Sequence, residues 1–222
     1  MDSLRKLHNN CKRILIQNWV RPGSTVLDCG CGRGGDIHKW KSVRDLKVIG
    51  VDPDEESLVE AQNRTVEAGF GMWFLPPGDI ASAVSWGPYD VVCYNFSLHY
   101  IFENMNIYTS STWAMIQCLK PDGLLIGITP DKTRINLLLN FKTKFEDELG
   151  NKIEMKDDKL LVNLVGGPFY AEGGREEPIL DSDMFIHTML GHGMKLLVWK
   201  PMLSTPNGLI SDIYSQFVFV KQ

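Results

Sequence analysis

Three aspartates follow short apolar or turn-forming runs in the first 80 residues: Asp28 after Thr25-Val26-Leu27, Asp52 after Val48 to Val51, and Asp79 within Pro77-Gly78-Asp79-Ile80. Between the first two lie Gly30, Gly32, Gly34 and Gly35, four glycines in six positions. Read as strand, glycine turn and helix, this stretch lets a ligand approach bare backbone: residues without Cβ tolerate positive φ, and a helix start offers free N–H groups. Asp52, twenty-two residues after Gly30, is placed to accept from both hydroxyls of a ribose. Gly30, Gly32 and Gly35 also satisfy the Gly-x-Gly-x-x-Gly spacing of a dinucleotide site. S-adenosylmethionine suits three carboxylates at three strand ends better than a pyrophosphate does. It carries an ammonium, which Asp28 can pair with, and an adenine amino group near Asp79, and no phosphate. Each aspartate alone has a second reading as a strand-end turn or helix N-cap.

The elements that must position these groups follow from periodicity. Leu4, Leu7, Cys11, Ile14 and Leu15 fall at helical spacing and predict a first helix over about 3–19, stopped by Arg21-Pro22-Gly23. Strands at 25–28, 48–52, 72–75 and 89–94 alternate with helices at 34–43 and 54–68, and a helix at 112–119 ends before a fifth strand at 124–129. This alternation predicts an α/β fold, a parallel sheet with helices on both faces and ligands at the strands' carboxyl ends. After Pro130 the character changes. Asp131 can cap a helix to about Phe145, and Asn151 to Glu177 mixes apolar runs with Gly166-Gly167-Pro168 and Gly173-Gly174, a small antiparallel lid. A helix at 182–190 and strands at 195–199 and 213–220 close a single domain, divided as 1–22 N-terminal helix, 23–149 cofactor-binding core, 150–180 lid and 181–222 C-terminal helix and strands.

At 222 residues, 44% hydrophobic and 23% charged, the chain can bury a substantial core and is neither disordered nor fibrous. No apolar run reaches membrane-spanning length and no signal peptide is evident, so a soluble, intracellular protein without membrane contact is expected. Five cysteines, with Cys29 and Cys31 in the glycine turn, lack zinc spacing; reduced thiols and no metal are expected. Residues 1–50 hold ten Lys/Arg against four Asp/Glu, while the remainder is acidic and the whole chain is at −4. That balance disfavours a general nucleic-acid coat and favours a local anion site beside the glycine turn.

With Cys93-Tyr94-Asn95-Phe96-Ser97-Leu98-His99-Tyr100-Ile101-Phe102-Glu103 added, the chain resembles the mRNA cap guanine-N7 methyltransferases. The family pattern there is approximately Cys-Gln-Phe-x-x-His-Tyr-x-Phe-Glu, and 26–36 resembles its Val-Leu-Asp-x-Gly-Cys-Gly-Lys-Gly-Gly-Asp. The likeness continues through His8-Asn9-x-x-Lys12, Gly127-x-Thr129-Pro130 and Ile213-Tyr214-x-x-Phe217-x-Phe219. It implies a Rossmann-like class I S-adenosylmethionine-dependent methyltransferase with a seven-strand, mostly parallel sheet, an N-terminal helix and a small antiparallel lid. By position it places Lys12, Gly30, Asp52, Asp79, Asn95 and Tyr100 at S-adenosylmethionine, and Asn9, Arg33, Lys39, Arg64, His99, Glu177 and Tyr214 at the capped RNA. His8 stands where the family has Asn, Arg33 often replaces Lys, and Asn95 replaces Gln. Glu176, adjacent to Glu177, remains the alternative at that place.

The chemistry suits those assignments. Guanine N7 has a free lone pair, so attack on a sulfonium methyl needs orientation and proximity but no general base. His99, Tyr100, Glu177 and Tyr214 are the expected orienting residues. A carboxylate can accept from guanine N1–H and N2–H while Phe96, His99, Tyr100 and Tyr214 offer faces for stacking. Arg33, Lys39 and Arg64 are the cations for the triphosphate bridge. The substrate implied is GpppN-capped mRNA. The compact chain is similar to a methyltransferase domain of a multifunctional capping enzyme of large cytoplasmic DNA viruses, fused to or associated with RNA triphosphatase and guanylyltransferase domains. Its expected place is the cytoplasm, in a viral factory or virion, if viral, and the nucleus if cellular. A methyltransferase of another small molecule or protein, and a non-catalytic cap-binding subunit, are the rival readings.

Overall fold

An apolar stripe makes the first helix, and its core contacts set the helix's rotation. In the computed structural model, which describes residues 2–166 and 170–222, α1 spans Asp2–Trp19. Leu4, Leu15 and Ile16 are buried, whereas Ile14 stands half-exposed outside the stripe predicted for it. The chain continues through β1 (Thr25–Cys29), α2 (Ile37–Trp40), β2 (Lys47–Val51), α3 (Glu55–Ala68), β3 (Met72–Phe74), α4 (Ile80–Ala83) and β4 (Tyr89–Asn95). Next come α5 (Met105–Cys118), β5 (Leu119–Pro130) and α6 (Lys132–Leu139), then β6 (Lys144–Glu146), β7 (Lys152–Lys156), β8 (Lys159–Asn163) and β9 (Arg175–Pro178). Helix α7 (Ser182–Gly191), β10 (Met194–Pro201) and β11 (Tyr214–Lys221) end it.

Seven strands form one sheet in the order β10-β11-β5-β4-β1-β2-β3. Strand β11 is antiparallel to β5 and β10, and the pairs among β5, β4, β1, β2 and β3 are parallel. Strand order therefore reverses at β1, between β2 and β4, and the crevice above the carboxyl ends of β1 and β4 is where such sheets take ligands. Strands β6 to β9 form a separate antiparallel sheet. It occupies 144–178, starting six residues before the predicted lid because β6 pairs with β7. Of the glycine turn predicted within it, Gly167 and Pro168 lie outside the described residues.

Three helices differ from the expected bounds. The helix expected from Asp131 to about Phe145 is α6, which ends at Leu139 because Asn140 turns left-handed at φ 46°, and Phe145 lies in β6. The helix predicted over 34–43 is only the single turn α2, because the glycine turn runs on to Asp36, whose side chain caps nothing. Helix α5 starts two turns earlier than 112, where the Asn104 side chain accepts from Ile107 N–H as an N-cap. Asp131 at the end of β5 caps α6 and also accepts from Ser182, Trp199 and Ser215, tying α7, β10 and β11 to one buried carboxylate. Among the described residues no helix is long and apolar enough to cross a membrane.

Candidate active site

The carboxyl ends of β1, β2 and β4 converge on the glycine turn. Gly30, Gly32 and Gly34 all have positive φ. A Cβ at Gly30 would collide with the Ser97 side chain, whose hydroxyl donates to Cys29 O at 2.6 Å. The loop after β4 thus packs directly on the turn, and only glycine fits there. At its apex Phe96 is itself held at φ 65°, a left-handed conformation costly for a bulky residue. Asp52 ends β2 beside this turn: one oxygen accepts from Gly32 N–H at 2.7 Å and the other from Asp54 N–H at 3.0 Å. Asp79 is exposed and caps α4 through Ala81 N–H.

Beneath the turn sits a buried charge cluster. Asp36 is within 2.6 Å of Lys12 Nζ and 2.8 Å of Lys39 Nζ, and its other oxygen accepts from Asn95 Nδ2 at 2.9 Å. Burial works against its charge, but Lys12 and Lys39 hold its carboxyl below the ordinary aspartate range. Asp28, 3% exposed, accepts from the Trp40 indole. Burial, then the neighbouring Asp36, pushes its pKa up to about 7. Asp28 is therefore built into the turn's support, not presented as the open ammonium partner read from its spacing. Lys39 requires a correction too. It is 3% exposed and donates to Gly35 O, so its ammonium faces the cluster rather than a phosphate.

Opposite the turn, β9 brings a carboxylate over the loop after β4. Glu177 pairs with Leu160 and Glu176 with Leu161 across β8, and because strand side chains alternate, the two glutamates face opposite ways. Leu160 is core, Glu176 is exposed, and Glu177 points inward. Glu177 accepts from Tyr100 Oη at 3.2 Å and lies 3.3 Å from His99 Nε2. Burial raises its pKa, but His99, Tyr100 and Arg175 outweigh it and keep the carboxyl below the usual glutamate range. Burial and then Glu177 raise the Tyr100 phenol, with Asp52 adding to the same effect. The Arg175 guanidinium lies over the Tyr100 ring, 5.4 Å from its centre.

A third wall is aromatic. Phe96, Tyr214 and His8 pack with ring centres 4.8 to 5.2 Å apart, and Lys12 Nζ sits 5.6 Å from the Phe96 centroid. Burial, then Lys12, lowers the His8 pKa to about 4, and its Nε2 is 2.9 Å from Ser211 Oγ. Asn9 is the next residue on α1, half-buried. On the outer side, Arg33 and Arg64 both reach Glu60 of α3, which gathers the two predicted phosphate contacts at one exposed spot.

Asp36, Arg175 and Ser97 were not assigned roles by spacing. Asp36 precedes Lys39 by three residues, and Arg175 shares the period-two face of Glu177; both relations were visible in the sequence but point to chemistry only once Lys12, Asn95 and Tyr100 are near. The groups around the turn have the chemistry that an adenosyl amino acid needs. Asp52 and the turn can take its ribose, Lys12 and Asn95 its amino-acid end. Asn95 Oδ1 and His99 Nδ1 are buried without hydrogen-bond partners among the described residues, which leaves polar atoms for a ligand to satisfy.

Residues 1–69 match the model of the mRNA (guanine-N(7))-methyltransferase domain family. The chain is similar to the mRNA cap guanine-N(7) methyltransferase of Cryptococcus neoformans, 31% identical over 159 residues that are 66% of this chain and 26% of that protein. It is 33% identical to that of Eremothecium gossypii over 66% of this chain and 36% of that one. With the Schizosaccharomyces pombe protein it shares 31% identity over 68% and 45%. The chain thus spans less than half the length of these relatives. Among solved structures, an S-adenosylmethionine-dependent methyltransferase from Clostridium acetobutylicum superposes with a TM-score of 0.68 at 14% identity, covering 97% of this chain and 91% of that one. A structure from Listeria monocytogenes described as a methyltransferase of the same kind gives 0.66 at 19%, covering 98% and 99%. The fold is the Rossmann-like class I methyltransferase fold.

Proposed function

Because this chain is a relative of the mRNA cap guanine-N(7) methyltransferases, we propose that it methylates N7 of the guanine that caps GpppN-ended mRNA, using S-adenosylmethionine. The observation that carries this reading is Glu177, an ionised carboxylate turned inward against His99 and Tyr100 of the loop after β4. An ionised carboxylate is acceptor-only, so it selects a base edge with two adjacent donors, as guanine N1–H and N2–H are. Gripping that edge leaves N7 directed away from Glu177. The cofactor, when bound, supplies an electrophilic methyl on a sulfonium. This chain's residues do the rest by placement: Lys12, Gly30, Asp52, Asp79, Asn95 and Tyr100 hold the donor, and Glu177, His99, Phe96, Tyr214 and Asn9 hold the base. N7 carries no proton at neutral pH, so no residue removes one, and rate comes from proximity and alignment. The 144–178 sheet acts as a lid that carries Glu177. A GpppN end must be made first, which calls for triphosphatase and guanylyltransferase activities fused to or associated with the chain.

Arg33 and Arg64 meet the triphosphate bridge in this reading. Arg33→Ala is expected to weaken capped RNA by about 1 kcal/mol, since the side chain is 60% exposed and solvent screens it. Free guanosine should be unaffected. Steady-state assays with both acceptors check this; equal losses on the two would make Arg33 a brace of the glycine turn.

The pH dependence should separate binding from chemistry. With Asp28 pushed up to about 7, its carboxylate becomes anionic as pH rises through that value, and an anion beneath the turn favours a cationic donor. S-adenosylmethionine affinity should therefore increase from about pH 6 to 8, while the single-turnover rate at saturation stays flat between about pH 6 and 9. A falling rate rescued by small exogenous bases would instead point to an acceptor whose proton must be removed, as in a side-chain or small-molecule methyltransferase.

Incubation of the protein with S-adenosylmethionine and guanosine-capped or adenosine-capped RNA tests the assignment, with methylation expected only on the former.

A further inference from the structure

Asp36 is buried, ionised and without any role in the chemistry above, yet three site elements end on it. Its Oδ1 lies 2.6 Å from Lys12 on α1 and 2.8 Å from Lys39 on α2, and its Oδ2 takes the Asn95 amide from the end of β4 at 2.9 Å. A carboxylate only accepts, so Asn95 must turn its NH2 toward Asp36 and its carbonyl oxygen away. That oxygen, Asn95 Oδ1, is buried and has no hydrogen-bond partner among the described residues. Lys12 keeps two further N–H donors, and its side chain is pinned between Asp36 and the Phe96 ring. One carboxylate thus orients a cation that can meet a carboxylate and an amide oxygen that can meet an ammonium. Those are the two ends of an α-amino acid.

We propose that Asp36 is the positioning residue of the site, aiming Lys12 and Asn95 Oδ1 at the methionine end of the cofactor. This rests on the S-adenosylmethionine reading of the cleft. Lys39, on the same oxygen as Lys12, balances the buried charge without entering the cleft.

Calorimetry with two ligands separates this role from simple bracing of the turn. S-adenosylhomocysteine contains the amino-acid end, whereas 5′-methylthioadenosine has the adenosine and sulfur without it. Asp36→Asn, which keeps the volume but lets the Asn95 amide turn over, should lower S-adenosylhomocysteine affinity about tenfold or more and leave methylthioadenosine within about twofold. Lys12→Gln, on the partly exposed α1 with Asp36 still facing Lys39, should give the same ligand-selective loss and carries the test where Asp36→Asn does not fold. Asp36→Glu, which restores the charge, should recover part of the affinity. Parallel losses for both ligands, or no loss for either, would overturn the proposal and leave Asp36 a structural brace. Failure of the unsubstituted protein to bind S-adenosylhomocysteine would instead remove the cofactor reading itself.

Discussion

Glu177→Gln is expected to lower kcat/KM for capped RNA by roughly 10- to 100-fold, the range that follows from losing a charge-assisted acceptor worth about 1.5–3 kcal/mol. An amide in that place accepts at one atom and presents N–H groups at the other, which opposes one of the two guanine donors. The effect should fall on the acceptor, because Glu177 touches the donor's residues only through the Tyr100 hydroxyl, which a Gln carbonyl can still accept. Cofactor affinity measured by calorimetry should stay within about twofold. Glu176→Gln supplies the control, since Glu176 is exposed on the opposite face of β9 and should leave the reaction unchanged. Normal turnover by Glu177→Gln would remove the base-recognition role from this strand.

Asp52→Ala should weaken S-adenosylmethionine binding by about 1.5–3 kcal/mol, as a charged acceptor facing two ribose hydroxyls disappears. The structure adds a second contribution: Gly32 N–H and Asp54 N–H lose their acceptor, so the turn loosens where the ribose would rest. Asp52→Asn retains one carbonyl acceptor and should fall between the wild type and Asp52→Ala. Thermal unfolding of Asp52→Ala should remain a single cooperative transition, because the substitution lies at the end of β2 and leaves the sheet register intact. Unchanged affinity in calorimetry would move the ribose partner to another residue.

The alternating α/β pattern up to β5 was legible because apolar runs, glycine and aspartate punctuate each turn. Helix α2 was misjudged in length: periodicity through Val43 registered as helix, while the chain from Gly30 to Asp36 is shaped by positive φ and by contacts from α1 and β4 that no local pattern carries. Helix α5 was shortened because its first turns, Met105 to Ser111, lack a clear apolar stripe and depend on the Asn104 cap. The motifs named the residues that the fold brings around the glycine turn and the loop after β4, and Glu177 could be told from Glu176 only by pairing with β8. For Lys39, position after the glycine turn does not distinguish an ammonium at a surface from one folded onto Asp36. Asp28 had the same difficulty, since its burial comes from Trp40 and Asp36 closing over it.

Transfer to guanine N7, one atom of one base, sets this reaction apart from other methylations. Incubating the protein with S-adenosylmethionine labelled in its methyl group and unmethylated GpppN-capped RNA, digesting the product to nucleosides and locating the label tests it most directly. Label in 7-methylguanosine from the cap, and in no other nucleoside, is the expected result. Label on a ribose or an internal base, or a protein that binds both ligands without transferring the methyl group, would contradict it.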